Sequence, residues 1–254
     1  MWHGMGDDCC SGLDGVKDAI IKQIPGVYVH SIMLGKNKMQ DLQQVFEKLS
    51  NDPNLSDGFY GLGFSQGGLF LRALHQRYPS LNIKRLVTIG SPHRGVASVP
   101  VCKSQNFMCN AVAKTLDYMV YTSIVQHRVV QAQYFNDPKK YNDYLKYNTF
   151  LPDINNENKI NQTYIDQIKK LEKLVFVKFL RDTMVDPPDS EWFGFYNENK
   201  TIVPLVNSNI YTEDRLGLKA MDMEKKIDFV EINADHLQAS DDIMDFLIQK
   251  YLMD

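Results

Sequence analysis

The chain has 254 residues, a formal net charge of −3 and 44% hydrophobic residues. That length implies one large domain, or one domain carrying a sizeable insertion, and it is enough to bury a core. The slightly acidic balance argues against a nucleic-acid surface, and no apolar run reaches the roughly 20 residues needed to span a bilayer.

The opening Met1-Trp2-His3-Gly4 has neither a basic segment nor an apolar stretch, so no signal peptide is read there. Leu13 to Ile24 has Val16, Ile20 and Ile24 on one helical face. Val27 to Leu34, set off by Pro25-Gly26, reads as a strand, and Met39 to Leu49 as a helix. Phe59 to Phe64 is a short apolar run suited to a buried strand. Gly68 to Tyr78 follows as a helix, with Leu69, Leu71 and Leu74 at helical spacing. Ile83 to Ile89 is the next strand. The alternation then gives way to a long helix, Asn110 to Tyr134, broken at Asp137-Pro138, and to a polar surface loop, Asp153 to Gln162, before a helix that runs to Leu171. Strands resume at Leu174 to Leu180 and Ile227 to Ile232, and an amphipathic helix, Asp241 to Leu252, closes the chain. Alternating strands and helices predict an α/β fold with a mostly parallel sheet and helices on both faces. The interruption predicts a helical cap inserted at 101–172, between core segments 1–100 and 173–254, over the sheet edge where such folds bind ligands.

The chemistry is concentrated at Gly63-Phe64-Ser65-Gln66-Gly67. G-x-S-x-G between a strand and a helix is a nucleophile elbow, whose glycines flank the serine because side chains would clash in the turn. A serine hydroxyl needs a base, and the base needs an acid to fix its tautomer. In this fold the chain order is serine, acid, histidine. Among His75, His93, His127 and His236, only His236 follows the last strand and precedes the last helix. The acid belongs after Leu174 to Leu180, which leaves Asp182, with Asp186 and Asp189 as rivals; each could also be an ordinary loop carboxylate. The oxyanion donors expected are the backbone N–H groups of Gln66 and of Met5 in the early His3-Gly4-Met5-Gly6 loop. No His/Cys/carboxylate set has metal spacing, no phosphate-loop signature is present, and no cofactor is expected. The aromatic run Trp192-Phe193-Gly194-Phe195-Tyr196 reads as core, or as the wall of an acyl groove. The four cysteines, Cys9, Cys10, Cys102 and Cys109, fit either free thiols or two short disulfides in an oxidising compartment. Three sequons, at Asn54, Asn161 and Asn199, would permit glycosylation in such a compartment.

Longer strings carry more specificity. Trp2-His3-Gly4-Met5-Gly6-Asp7, Gly63 to Gly68, Asp186 to Tyr196, Tyr211-Thr212-Glu213-Asp214-Arg215-Leu216-Gly217-Leu218-Lys219 and Asp235-His236-Leu237-Gln238 together resemble the lysosomal palmitoyl-protein thioesterase family, over nearly the whole chain. The resemblance implies an α/β-hydrolase that cleaves long-chain fatty-acyl thioesters from cysteines of lipidated proteins through an acyl-serine, with water as second substrate. It implies Ser65 as nucleophile, Asp182 as acid, His236 as base, and Met5 and Gln66 as oxyanion donors. It also implies disulfides at Cys9–Cys10 and Cys102–Cys109, a glycan at Asn161, and a lysosomal or secreted location. A cysteine of the family pattern is replaced by Tyr78. S-acylated proteins, or acyl-CoA, are the expected partners. The rival activities are those of a lipase, a carboxylesterase or an acyl-CoA thioesterase, because the triad is shared and specificity lies in the groove. A non-catalytic lipid-binding scaffold is the rival outside enzymology.

Overall fold

The computed structural model describes residues 1–4, 12–32, 42–98 and 119–253. The predicted Met5 donor, the four cysteines and the first part of the predicted insertion lie outside the described residues.

Among the described residues, four parallel strands form the central sheet: β1 (Phe59–Phe64), β2 (Ile83–Ile89), β3 (Lys173–Phe179) and β6 (Ile227–Ile232), in the spatial order β1-β2-β3-β6. Alternation along the strands sorts two cores. Leu86, Leu174 and Phe176 face helix α3 (Gln66–Arg77), which buries Leu69, Phe70, Leu71 and Leu74 against them. Val87, Ile89, Val175 and Val177 face the opposite layer, built from Ile20 of α1 (Asp14–Gln23) and Leu247, Ile248 and Tyr251 of α10 (Asp241–Tyr251). A parallel sheet must be covered on both faces, which explains its near-continuous apolar strands.

Beyond β1 the sheet is extended by single residues. Trp2 bridges Gly63 in parallel, donating its N–H to the Leu62 carbonyl at 3.0 Å and accepting from the Phe64 N–H at 3.0 Å. Residues 27–32 were expected to form a strand, but they are extended without joining a ladder. Met1 alongside donates to the His30 carbonyl and accepts from the Ile32 N–H. Strand character needs a partner row, and one residue does not supply it.

The segment between β2 and β3 departs from expectation twice. In place of one long helix ending at Tyr134, a short α4 (Ser123–Arg128) is followed by a tight turn at Val130–Tyr134, with extended backbone at Thr122 and Val129. The physical reason is local competition for the backbone. Thr122 Oγ1 donates to the Met119 carbonyl, and the buried Gln126 amide donates to the carbonyls of Val120 and Ala132. The expected surface loop from Asp153 is also half wrong. It opens with a buried turn of helix, α6 (Leu151–Ile154), and Asn155 and Asn156 are fully buried. They are buried because they are paired. Asn155 Oδ1 accepts from Arg72 Nη2 at 2.7 Å, its amide donates to the His93 carbonyl, and Asn156 donates to the Arg215 carbonyl. The fully buried Arg72 of α3 also donates to the Ile154 carbonyl, so one guanidinium fastens the segment between β2 and β3 to α3. Between β3 and β6 lie a two-strand ribbon, β4 (Phe195–Tyr196) with β5 (Ile202–Val203), and two short helices, α8 (Asn209–Thr212) and α9 (Leu218–Met223). Tyr78 stacks on Phe46 of α2 (Leu42–Ser50), with ring centroids 4.3 Å apart.

The elbow depends on missing side chains. A Cβ on Gly63 would lie 2.3 Å from Gly68 Cα, and one on Gly67 would lie 2.4 Å from the Trp2 carbonyl oxygen. The obstacles are backbone atoms, which cannot rotate away. Gly63→Ala is therefore expected to lower stability by ~1–3 kcal/mol, read as a lower urea midpoint; a midpoint equal to wild type would contradict the packing described.

Candidate active site

All four sheet strands end toward one edge, and the chemistry-bearing side chains come from the turns that leave them. Ser65 sits between β1 and α3 with φ 51° and ψ −126°, a left-handed, strained backbone for a non-glycine residue. Its N–H donates to the Ile89 carbonyl at 2.7 Å, which ties the bend to the neighbouring strand. It is the N-cap of α3, yet its hydroxyl makes no capping bond. The hydroxyl is directed instead at His236, whose Nε2 lies 3.1 Å from Ser65 Oγ.

His236 follows β6 on a loop bound to the loop after β3. Leu180 and Arg181 donate backbone N–H groups to the carbonyls of Ile232 and Ala234. Asp235 Oδ1 accepts from the Thr183 N–H, the Thr183 hydroxyl and the His236 N–H. This joint carries Asp182 to His236. Asp182 Oδ2 is hydrogen-bonded to His236 Nδ1, while Oδ1 accepts from the N–H groups of Met184 at 2.6 Å and Val185 at 2.8 Å. Burial works to raise the Asp182 pKa; the hydrogen bonds from His236, Glu191 and the Val185 backbone, with the imidazole's charge, outweigh it and hold the carboxyl below its usual range. Gly90, with φ +63°, makes room for the ring, since a Cβ there would lie 3.2 Å from His236 Cε1.

The other two acids are engaged elsewhere. Asp186 accepts from the Tyr196 hydroxyl at 2.9 Å and the Ser98 hydroxyl at 2.7 Å, and Asp189 faces Lys178 at 3.4 Å. His75 bonds the Gln167 carbonyl. His93 is buried against Phe193, ring on ring at 4.9 Å, with burial pushing its pKa well down. Gln66 is the first residue of α3, and such N–H groups have no acceptor within their own helix. Its side chain accepts from the Tyr134 hydroxyl at 3.4 Å, so the segment between β2 and β3 reaches the start of α3. Trp2 brings His3 and Gly4 alongside, and a Cβ on Gly4 would lie 3.2 Å from Ser65 Cβ. Met5 follows directly, outside the described residues.

The sequence model of the family described as palmitoyl protein thioesterase matches residues 1–236, nearly the whole chain. The chain belongs to the palmitoyl protein thioesterase family. Curated relatives include palmitoyl-protein thioesterase 1 of Caenorhabditis elegans, 44% identical over 270 residues, covering 100% of this chain and 91% of that protein. A palmitoyl-protein thioesterase-dolichyl pyrophosphate phosphatase fusion of Schizosaccharomyces pombe is 38% identical, covering 100% of this chain and 43% of that protein. The lysosomal thioesterase PPT2 homolog of Drosophila melanogaster is 33% identical over 76% of this chain and 67% of its own length.

One residue of this family member was missed by sequence reasoning. Glu191 is 1% exposed and accepts from the Phe179 N–H at 2.9 Å. Burial, then the adjacent Asp182, push its carboxyl up to about 10. The sequence signal was a charged residue directly before an aromatic run. Asp182, Glu191 and His236 each place a ligand-type atom within 4.8 Å of the others, close enough for a cation. The N–H groups already on Asp182 and Glu191 make a hydrogen-bonded chain the better description. Phe193 of the aromatic run is fully buried, and Trp192 bonds the Phe176 carbonyl and lies over Lys178, so core packing accounts for both.

The Glu191 shift has a signed consequence. The folded state holds a proton that the unfolded state releases above about pH 4.3, so stability falls as pH rises from there toward 10. Wild type should lose stability relative to Glu191→Gln across about pH 5 to 9, approaching ~1 kcal/mol per pH unit, in chemical unfolding at stepped pH. Parallel curves for the two proteins would contradict a proton on Glu191.

Proposed function

We propose that this protein is a serine hydrolase that cleaves long-chain fatty-acyl thioesters, of which palmitoyl groups on protein cysteines are the type substrate. The observation that carries the reading is the Ser65–His236–Asp182 chain of hydrogen bonds at a glycine-flanked bend, in a member of the palmitoyl protein thioesterase family. Ser65 Oγ attacks the thioester carbonyl while His236 Nε2 takes its proton. Asp182 holds the imidazole by Nδ1 and stabilises the imidazolium. The N–H groups of Gln66 and Met5 would receive the oxyanion, helped by the positive end of α3. Collapse breaks the carbon–sulfur bond, and the thiolate leaves with the proton from His236. Water, deprotonated by His236, then releases the fatty acid from Ser65. Thiolate is a good leaving group, so acid assistance matters less than for an amide.

The relatives' thioesterase names do not favour the lipase and carboxylesterase alternatives, and acyl-CoA remains a candidate second substrate. The insertion at 101–172 would roof the acyl chain. Lysosomal or secreted residence is supported by the name of the Drosophila melanogaster relative. Asn54, Asn161 and Asn199 are all exposed and open to a glycan. Among the described residues, no helix is long and apolar enough to cross a membrane.

Ser65→Ala should lower turnover of a palmitoyl-cysteine thioester by ~10⁴-fold or more, and Asp182→Asn by on the order of 10²–10⁴. Asp186→Asn should leave turnover within about threefold of wild type, because its carboxylate braces Tyr196 and Ser98 rather than the imidazole. Equal rates for wild type and Ser65→Ala would rule out the serine mechanism.

A further inference from the structure

The mechanism above makes no use of Glu191. Its Oε2 accepts the Phe179 N–H, while its Oε1 is buried and meets no N–H or O–H donor. The carboxylate beside it is Asp182, with ligand-type oxygens of the two within 4.8 Å of each other. Two ionised carboxylates in a sealed site repel, and a single proton between them removes the conflict. The partners decide where that proton sits. Asp182 receives two backbone N–H bonds and the imidazole; Glu191 receives one N–H. The better-solvated carboxylate keeps the charge, so the proton belongs to Glu191, and its orphaned oxygen becomes a donor. The other charged groups acting on Glu191 do not overturn this. Lys178 is turned to Asp189 at 3.4 Å, and His236, whose nearer ring nitrogen lies within 4.8 Å, is hydrogen-bonded to Asp182.

We propose that Glu191 is a positioning residue: as a neutral carboxylic acid it donates a hydrogen bond to Asp182 and so fixes the carboxylate that orients His236 toward Ser65. The proposal rests on the triad reading of those three residues. It follows that a neutral donor of the same shape can replace Glu191, whereas an apolar side chain cannot. Without the donor Asp182 becomes more basic, and the imidazole paired with it does too, so the acid limb of kcat/KM moves to higher pH.

The test compares wild type, Glu191→Gln and Glu191→Leu by the pH profile of palmitoyl-thioester turnover and by the rate of Ser65 labelling with a fluorophosphonate. Glu191→Gln should stay within about threefold of wild type with an unmoved profile. Glu191→Leu should lose about 10- to 100-fold in kcat/KM, the size of one hydrogen bond to a charged group, with its acid limb raised. Infrared spectroscopy of Ser65→Ala protein near neutral pH should show a protonated carboxylic-acid carbonyl band that disappears in Ser65→Ala/Glu191→Gln. This readout needs no turnover and stands even if Glu191→Leu does not fold. Absence of the band, or a Glu191→Gln enzyme as impaired as Glu191→Leu, would overturn the proposal. Failure of wild type to turn over the thioester, with the band present, would count against the substrate reading instead.

Discussion

The backbone bend at Ser65 is the constraint on which the rest of the structure turns. A residue with a side chain is held at positive φ, at a cost of order 1–3 kcal/mol. The surroundings over-determine it. Ser65 N–H is bonded to β2, Trp2 is clamped along β1, and glycines at 63 and 67 allow backbone to touch backbone. What the strain secures is direction: the hydroxyl leaves the sheet edge with no local partner except an imidazole supplied from near the other end of the chain.

The approach of His236 to Ser65 is in turn a property of two loops acting as one. Asp235 staples the acid loop to the base loop through two hydrogen bonds from Thr183 while also accepting the His236 N–H, and Asp182 faces the ring with a second oxygen saturated by backbone N–H groups. A buried carboxylate placed this way keeps its charge without an arginine or lysine as partner. Its charge is met by N–H dipoles, the imidazole and the hydrogen bond from Glu191.

The elbow, the four sheet strands and the terminal helix were legible because each rests on short-range pattern: glycine spacing, alternating or continuous apolar runs, and helical periodicity. His236 was legible from chain order. The acid was not settled by pattern, since Asp182, Asp186 and Asp189 share one loop and differ only in tertiary partners; the structure turns the first to His236 and the second to Tyr196 and Ser98. Polar residues misled most. Asn155 and Asn156 read as surface, yet they are buried because Arg72 and the Arg215 carbonyl satisfy them from distant parts of the chain, and Gln126 is buried on the nearby carbonyls of Val120 and Ala132. Glu191 was missed for a similar reason, as a charge in sequence that the fold buries between the Phe179 N–H and the Asp182 carboxylate.

The central claim is that Ser65 carries the acyl group between the two half-reactions. It is tested most directly by mixing the protein with a palmitoyl-cysteine thioester, quenching in acid within the first turnovers, and measuring the mass of the peptide that holds residue 65. The account predicts one palmitoyl group on Ser65, formed no more slowly than free palmitate is released. Steady release of palmitate while that peptide stays unmodified, under conditions where acylation is not rate-limiting, would contradict it.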